Sequence, residues 1–341
     1  MSVTLRRRFG GLAKPALRGG LALAGLATVF ALGHALGWSR IAERLGSVGA
    51  WFGLVLAAYV GATLLYSLPL GMLLPRRPPV IELLASRLAA VSVNAATPFL
   101  GVGGEPVRLL LLPPGDRRPA GFAALVVDRS AFLGASALFL ALGAMVAGAS
   151  VRLPTAVRVA LPAAGAVALG LAAALYLTQR RGGVTRPVAR LLARLTRHGA
   201  RFVDGAGEID QRVRALHAGD PARFGRMMAI HFAGRAMTLV EVIIAARLLG
   251  LTLGATGALL FATLPLAVDL AFSLVPSQLG IHEGSIALLA MALGLDPAAG
   301  VALVFLQRLR QLVFVAIGFA LLAARRSRPY PRSANSSPSC R

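Results

Sequence analysis

The sequence predicts an all-α polytopic membrane protein with about six full transmembrane helices and two re-entrant helical hairpins arranged as an inverted repeat. Composition supports the membrane class: 57% of the 341 residues are hydrophobic, 14% are charged, and the mean hydropathy is +0.73. A soluble domain is about 25% charged. Apolar stretches also recur at membrane-spanning length, and two of them are interrupted by Pro and Gly. Residues 1–341 are therefore expected to form a single integral membrane domain.

Six apolar stretches are long enough to cross a hydrocarbon core, which needs about 20 helical residues. They cover residues 19–37, 50–74, 119–148, 155–178, 224–249 and 298–323. The first stretch follows a run of arginines and resembles an export signal. Its apolar run is longer than the roughly 7–15 residues of a signal core, so we expect an uncleaved helix. Two further apolar regions, 81–112 and 255–295, are broken near their middles and predict the hairpins.

Basic residues predict how the chain is oriented in the bilayer. With a cytoplasmic N-terminus, and with each hairpin entering and leaving on one side, the inside segments carry 24 Lys and Arg and the outside loops carry three. This asymmetry follows the positive-inside rule and predicts a multi-pass protein of the bacterial cytoplasmic (inner) membrane with both termini in the cytoplasm. It also accounts for the +23 net charge without nucleic acid. The single cysteine, Cys340, excludes intrachain disulfides and Cys-based metal sites.

The largest polar region, residues 179–223, is predicted to be a cytoplasmic basic amphipathic segment. Its arginines at helical spacing are Arg186, Arg190, Arg194, Arg197 and Arg201. A basic amphipathic helix beside membrane spans should lie on the anionic inner leaflet, and we favour this anchoring role over capture of an anionic lipid substrate. The final residues, 324–341, are predicted to be a disordered basic tail.

The two interrupted regions share three landmarks. These are Pro98, Glu105 and Arg129 in the first region and Pro276, Glu283 and Arg308 in the second. Glutamate follows proline by seven residues in both, and arginine follows glutamate by 24 or 25. The flanking charges predict that the first region enters from the cytoplasm and the second from outside. Residues 50–148 and 224–323 would then be inverted repeat units, an architecture of secondary transporters in which broken helices meet near the midplane.

Ionisable residues inside apolar spans are candidates for function, because burying them is costly unless they are paired or hydrated. Here they are Glu105, Arg108, Asp128, Arg129, Arg235, Glu241, Asp269, Glu283, Arg308 and Arg310. We predict a substrate pathway lined by Asn94, Gly103, Gly104, Glu105, Arg108, Asp128, Arg129, Asp269, Gln278, Gly280, Glu283 and Arg308. The matched spacing further predicts that both hairpins converge on one midplane cavity. His231 and Arg235 share a helix face, which either a polar pathway or ordinary interhelical packing explains.

The chemistry of these residues suggests how a lipid headgroup would bind. The half-helix that begins near Glu105 would offer free N–H groups to a phosphate or carboxylate, and arginines would add bidentate hydrogen bonds. The glutamates would bind an amine or carry a coupling proton. A structural interpretation stays open, in which Glu105 and Glu283 only balance Arg129 and Arg308 as buried pairs. Asp128 and Arg129 point about 100° apart on a helix and should face different partners.

These motifs carry a resemblance to a known family. The patterns Asn94…Pro98…Gly104-Glu105…Arg108 and Pro276…Gly280-Ile-His-Glu283, followed by Arg308, resemble the flippase-like transmembrane region of bacterial lysylphosphatidylglycerol synthases. The run 103–108 is similar to a hopanoid-associated subset of stand-alone members. The resemblance covers roughly residues 20–323 and implies an inner-membrane protein that moves polar or aminoacylated lipids between leaflets. Full synthases add a soluble aminoacyl-transferring domain, which the tail at 324–341 does not match, so the resemblance implies no synthase activity.

We therefore expect a flippase that moves a polar-headgroup lipid, anionic or aminoacylated, and not an enzyme. No zinc-protease or phosphate-loop motif is present in the sequence, and we expect neither a cofactor nor a metal. The alternative is a membrane-embedded transferase that modifies a lipid headgroup with Glu105 or Glu283 as general base. The expected partners are a membrane phospholipid or other polar lipid, the anionic inner leaflet and no nucleic acid. A homo-oligomer or a separate lipid-modifying enzyme is left open.

Overall fold

A computed structural model describes residues 26–96, 103–112, 119–149, 153–181, 183, 185, 199–273, 275 and 278–326. Regular structure in these ranges is helical, which confirms the predicted all-α class. Several positions used above lie outside the described residues, namely 1–25, Pro98, 186–198, Pro276 and 327–341. The predicted first-span start, the hairpin prolines, most of the basic amphipathic arginines and most of the tail fall in this group.

Twelve helices can be labelled along the described part of the chain. The first six are α1 (Leu26–Leu36), α2 (Trp38–Val48), α3 (Phe52–Gly71), α4 (Val80–Ala96), α5 (Glu105–Leu110) and α6 (Pro119–Ala149). The next six are α7 (Thr155–Arg181), α8 (Gly199–Gly219), α9 (Pro221–Leu248), α10 (Ala255–Ala271), α11 (Ile281–Ala292) and α12 (Pro297–Arg326). A short 3₁₀ turn, Gly49–Trp51, joins α2 to α3.

Five stretches of the described chain are long and apolar enough to cross a membrane. They are Trp38–Gly71, Pro119–Ala149, Thr155–Arg181, Ala222–Leu248 and Pro297–Ala324. The first of the six predicted spans, 19–37, is described only from Leu26 onward, and its described part, Leu26–Leu36, is a shorter apolar helix. Between the first two predicted spans the chain is helical, because Trp38–Val48 forms an amphipathic helix. Its buried residues Ile41 and Val48 belong to the apolar core.

Each interrupted apolar region contains two short helices, as the sequence predicts. In the first region α5 begins at Glu105, with Gly104 at its N-cap position. A Cβ at Gly104 would lie 2.1 Å from the carbonyl oxygen of Ala90, so only glycine allows α5 to start this close to α4. In the second region α11 begins at Ile281, after Gly280 with φ 80°, a left-handed conformation that favours glycine.

The helices pack so that the second repeat unit interleaves with the first. α3 and α6 both pack against α9, α4 packs against α12, and α10 packs against α6. Two of these crossings are very close, because a Cβ at Gly143 of α6 would meet Thr263 of α10 and one at Gly318 of α12 would meet the backbone of α4 at Leu88. Small residues permit such approaches in membrane proteins. The interleaving brings charged residues of α4, α5, α6 and α9 together.

Candidate functional site

Glu105, at the start of α5, lies among three guanidinium groups. Its Oε2 accepts a hydrogen bond from Arg108 Nη1 at 3.3 Å, and its Oε1 accepts one from Arg129 Nη1 at 3.4 Å. Arg87 Nη1 of α4 forms an ion pair with the same Oε1 at 3.8 Å. Three long contacts to one carboxylate leave hydrogen-bonding capacity on each arginine, since a guanidinium carries five N–H donors.

A second, tighter group lies directly behind Glu105. Arg108 Nη1 donates to Asp128 Oδ2 at 2.6 Å, and the opposite oxygen of Asp128 lies 3.0 Å from His231 Nε2 of α9. Arg108, Asp128 and His231 are each exposed by 1% or less, so the group is sealed from solvent and lipid. The structure thus connects the first hairpin to α6 and to α9. Asp128 and Arg129 face different partners, as their angular separation on the helix predicts.

The start of α5 is fixed by Asn94 near the end of α4. The Asn94 side-chain oxygen accepts a hydrogen bond from the Gly104 backbone N–H at 2.6 Å. Gly103 lies in the turn just before it. One of the free N–H groups of this short helix is therefore already satisfied within the protein. Asn94 and Gly104 act on the backbone geometry, which in turn positions Glu105 and Arg108.

The second hairpin contains the counterpart pair, with a different arrangement. Arg308 Nε of α12 donates to Glu283 Oε1 at 2.6 Å, and Glu283 Oε2 accepts from the Gly280 backbone N–H at 2.8 Å. Glu283 has no exposed surface. Its carboxylate caps α11 and binds one arginine, whereas Glu105 is shared by three. Both predicted Glu–Arg pairs are therefore present, 25 and 24 residues apart in sequence.

A polar group lies on the exposed side of the second hairpin. His282 Nε2 lies 2.7 Å from Gln278 Oε1 and 3.2 Å from Asp269 Oδ1, so the ring N–H is positioned to donate to both. Gln278 has φ 45°, and its side-chain amide donates to the Phe272 carbonyl at 3.2 Å. The Asp269 side chain is 57% exposed. Its carboxylate is therefore available to a ligand, unlike that of Glu283.

A cavity of about 430 Å³ lies between α6, α7, α9 and the second hairpin region. Its polar wall residues are Arg129, Ser136, Arg235, Asp269 and Ser273, and its apolar ones include Phe132, Leu133, Leu140, Leu171, Leu175 and Leu266. These belong to α6, α7, α9 and α10, except for Ser273, which lies just after α10. Of the predicted pathway residues, Arg129 and Asp269 line this cavity. Glu283 and Arg308 are not among its described lining residues, because they are turned toward the α11 cap, which differs from the predicted convergence of both pairs.

Phe132 organises the arginines beside the cavity. The Cζ atoms of Arg87, Arg129 and Arg235 lie 5.2, 5.2 and 4.8 Å from the centre of its ring. Tyr66 of α3 stands edge-on to Phe132, with 5.3 Å between ring centres. Cation–π attraction holds guanidinium groups over aromatic rings even where carboxylates are scarce. The rings therefore keep three cations close together, and two of them, Arg129 and Arg235, line the cavity.

Three residues of this site were not among the predicted pathway residues. The shared helix face of His231 and Arg235 does not by itself assign them to the site, and no motif in the sequence marks Arg87. Arg87 lies seven residues before Asn94 in an apolar segment, and that position is the signal for it in the sequence. A further buried pair, Arg310 Nη1 with Glu241 Oε2 at 2.6 Å, joins α12 to α9 away from these groups.

Comparison with known proteins agrees with the architecture. The family model described as "Lysylphosphatidylglycerol synthase TM region" matches residues 19–318. No curated protein and no solved structure matches the chain significantly. The match covers all the charged groups described above, including both hairpins and the cavity. The resemblance drawn from the hairpin motifs is thereby confirmed, and this protein belongs to the lysylphosphatidylglycerol synthase transmembrane-region family.

Proposed function

We propose that this protein is a lipid transporter, a flippase that moves a polar-headgroup lipid between the leaflets of the bacterial cytoplasmic membrane. Family membership supports the broader statement that it is a multi-pass membrane protein acting on lipid headgroups. The substrate class, anionic or aminoacylated, follows from the charges of the site. The proposed orientation, with both termini in the cytoplasm, follows from the basic asymmetry of the sequence.

The observation that carries this proposal is that the cavity wall is cationic in one part and mainly apolar elsewhere. One part of the wall presents the guanidinium groups of Arg129 and Arg235, and the rest is mainly apolar, with Asp269 and Ser273 on the side of α10. A phospholipid has the same division, with a charged headgroup next to acyl chains. Charged residues at membrane depth are costly unless they serve a ligand or a partner. A cavity of about 430 Å³ matches the pocket sizes that small ligands occupy and would hold a headgroup with the first part of its chains.

The helix packing supports an inverted repeat. If α3, α4 and α6 correspond to α9, α10 and α12, then the α4–α12 contact has its counterpart in the α10–α6 contact. The contact of α3 with α6 likewise corresponds to that of α9 with α12. Helices related by a pseudo-two-fold axis must make contacts in such matched pairs. Alternating access in inverted-repeat transporters uses this pairing to exchange inward-open and outward-open states.

The alternative, a transferase that uses Glu105 or Glu283 as general base, finds less support. A general base needs a free lone pair within hydrogen-bonding distance of the proton that it removes. Both oxygens of Glu105 contact arginines, and both oxygens of Glu283 are occupied by Arg308 and the Gly280 backbone. Asp269 is the exposed carboxylate of the cavity wall, and a transferase would have to use it instead.

Reconstitution tests the proposal directly. The purified protein is placed in liposomes with trace headgroup-labelled lipid, and an impermeant quencher reports the fraction accessible outside. We expect complete accessibility with the wild type and about half in protein-free liposomes. Arg129→Gln should slow exchange by at least about tenfold, since it removes a charge-assisted contact to the headgroup. Arg158→Gln, on the exposed face of α7, is the matched control and should behave as wild type.

Two outcomes would contradict the transport proposal. One is labelled anionic and aminoacylated lipids that stay as asymmetric with the protein as without it. The other is equal lipid exchange by the wild type and Arg129→Gln. Exchange that does not depend on a cavity residue would be nonspecific leakage through the membrane. A new lipid product, detected by mass spectrometry after incubation with aminoacyl donors, would favour the transferase.

A further inference from the structure

The described part of the site holds more positive charge than its own carboxylates neutralise. Four arginines, Arg87, Arg108, Arg129 and Arg235, stand against two carboxylates, Glu105 and Asp128. The buried Arg108–Asp128 pair balances itself at 2.6 Å. Glu105 then remains as the counter-ion of the three arginines around Phe132. The surplus is two positive charges.

Arg235 is the clearest member of this surplus. Its Nε and Nη2 donate to the Ser136 hydroxyl at 3.0 and 2.7 Å, and its guanidinium stands over Phe132 and Tyr66. Among the described residues no carboxylate lies within ion-pair distance of it. A hydroxyl and two rings do not neutralise a cation inside a membrane protein. Arg235 lines the cavity, so the missing counter-ion would come from a ligand there.

Asp269 on the opposite wall does not remove the surplus. It forms no ion pair with Arg129 or Arg235, although all three line one cavity. Its partner is His282 Nε2, at 3.2 Å, and more than half of its side chain is exposed. Its hydrogen bond with His282 holds the carboxylate away from both arginines.

We infer that the cavity selects a lipid whose headgroup carries two negative charges on phosphate, a phosphomonoester or a diphosphate. The inference rests on the transport function proposed above and narrows its substrate class. A phosphomonoester carries about −1.5 to −2 at neutral pH, whereas a phosphodiester carries one charge and an aminoacylated phosphodiester less. Only a phosphomonoester or a diphosphate carries enough negative charge to neutralise the surplus of two positive charges. Arg129 and Arg235, which both line the cavity, would each bind phosphate oxygens through paired N–H donors.

Binding of short-chain lipids to the full-length protein in detergent tests this selection. The probes are dioctanoyl phosphatidic acid, a phosphomonoester, and dioctanoyl phosphatidylglycerol, a phosphodiester with the same chains. At pH 8 we expect the phosphomonoester to bind at least about tenfold more tightly, the ratio that one further charged hydrogen-bonding contact gives. The preference should shrink at pH 5, because the phosphomonoester gains a proton near pH 6.

Variants of Arg235 connect the preference to the surplus charge. Arg235→Gln should reduce the ratio to about threefold or less, because one unmatched cation is gone, while Arg235→Lys should keep part of it. Arg247→Gln, an exposed arginine on the same helix, should leave the ratio unchanged. Thermal unfolding of each variant checks that a lost preference is not a lost fold.

Equal binding of the two lipids, tighter binding of the phosphodiester, or a preference that survives Arg235→Gln would overturn the inference. Its failure can be told apart from failure of the transport proposal. Exchange of phosphatidylglycerol between leaflets without selective binding would support the transport proposal and contradict the dianion preference. Selective binding of the phosphomonoester without exchange of any lipid would support the dianion site and contradict the transport proposal.

Discussion

Asp128 on α6 and His231 on α9 are joined by a 3.0 Å contact between Oδ1 and Nε2, and both side chains are buried. The contact couples the two halves of the protein, because α6 belongs to the first predicted repeat unit and α9 to the second. Asp128 also binds Arg108 at 2.6 Å, so the first hairpin is held by the same carboxylate. When α6 moves relative to α9, either the contact between Asp128 and His231 breaks or these two residues move together.

Replacing Asp128 with Asn should destabilise the protein strongly. The change leaves Arg108, which is 1% exposed, with one carboxylate at a long 3.3 Å contact. Breaking a buried pair from one side costs about 3–5 kcal/mol. Thermal unfolding in detergent should show a large fall in midpoint. Glu43→Gln, on the exposed face of α2, is the control and should stay within about 0.5 kcal/mol. An unchanged midpoint for Asp128→Asn would contradict the assigned pairing.

The Glu283–Arg308 pair should prove mainly structural. Glu283→Gln leaves Arg308 unpaired and weakens the cap of α11, so we expect a loss of about 2–5 kcal/mol. The double variant Glu283→Gln, Arg308→Gln removes both charges and should recover part of that loss. Lipid exchange per folded molecule should be retained in the double variant. Its loss with stability restored would place this pair in the pathway instead.

Gly104→Ala should disrupt the first hairpin. A Cβ there would lie 2.1 Å from the Ala90 carbonyl oxygen, and backbone atoms cannot give way as a flexible side chain can. We expect a loss of at least about 2 kcal/mol and slower lipid exchange, because Glu105 and Arg108 follow in the chain. Gly170→Ala is the matched control: nothing lies within 4 Å of its Cβ position on α7. It should be neutral or stabilising by about 0.5–1 kcal/mol. Equal effects of the two changes would refute the assigned close contact.

The pH dependence of stability should report on His217 of α8, outside the candidate spans. Burial, together with the nearby Arg180 guanidinium, lowers the pKa of His217 below its ordinary value of 6.5. The unfolded chain therefore binds this proton more readily. The stabilisation is present above pH 6.5 and is lost as the pH falls through the folded-state pKa.

Unfolding midpoints measured between pH 7.5 and about 5 check this dependence. His217→Gln should flatten the pH dependence, because glutamine does not titrate. Its side-chain amide can still donate to Gln179 Oε1, which His217 Nε2 contacts at 3.1 Å in the wild type. The exposed His34→Gln should keep the wild-type slope. Identical slopes in all three proteins would show that His217 does not titrate in this range.

Thiol labelling tests the proposed orientation. In a Cys340→Ser background, Ser47→Cys on α2 should react with an impermeant reagent in intact cells. Ala218→Cys, exposed at the end of α8, should react only after the membrane is opened. We expect this orientation because the predicted inside segments carry 24 Lys and Arg and the predicted outside loops carry three. Labelling of Ala218→Cys from outside would reverse the topology and with it the assignment of the inner leaflet.

The membrane class and the helix-breaking regions follow from the sequence, and the pairing of Glu105 with Arg129 and of Glu283 with Arg308 is one of the two interpretations that it supports. Hydropathy and glycine or proline breaks act locally, over the length of one helix, so they can be read along a single chain. The family was also accessible from the hairpin motifs, which are contiguous in sequence. Helical periodicity likewise indicated that Asp128 and Arg129 face different partners.

The cavity and its arginine cluster were decided by the tertiary structure. Arg87, Arg129 and Arg235 surround one phenylalanine from three helices that are far apart in sequence, and no local pattern relates them. The same holds for Asp128 and His231, which are separated by 103 positions. Equal spacing in the two halves also concealed a difference between Glu283, enclosed by its own helix cap, and Glu105, which is shared among arginines. The sequence determines which residues are charged, but the packing of distant helices determines which charges remain unmatched, because neutralisation depends on distances of a few ångströms.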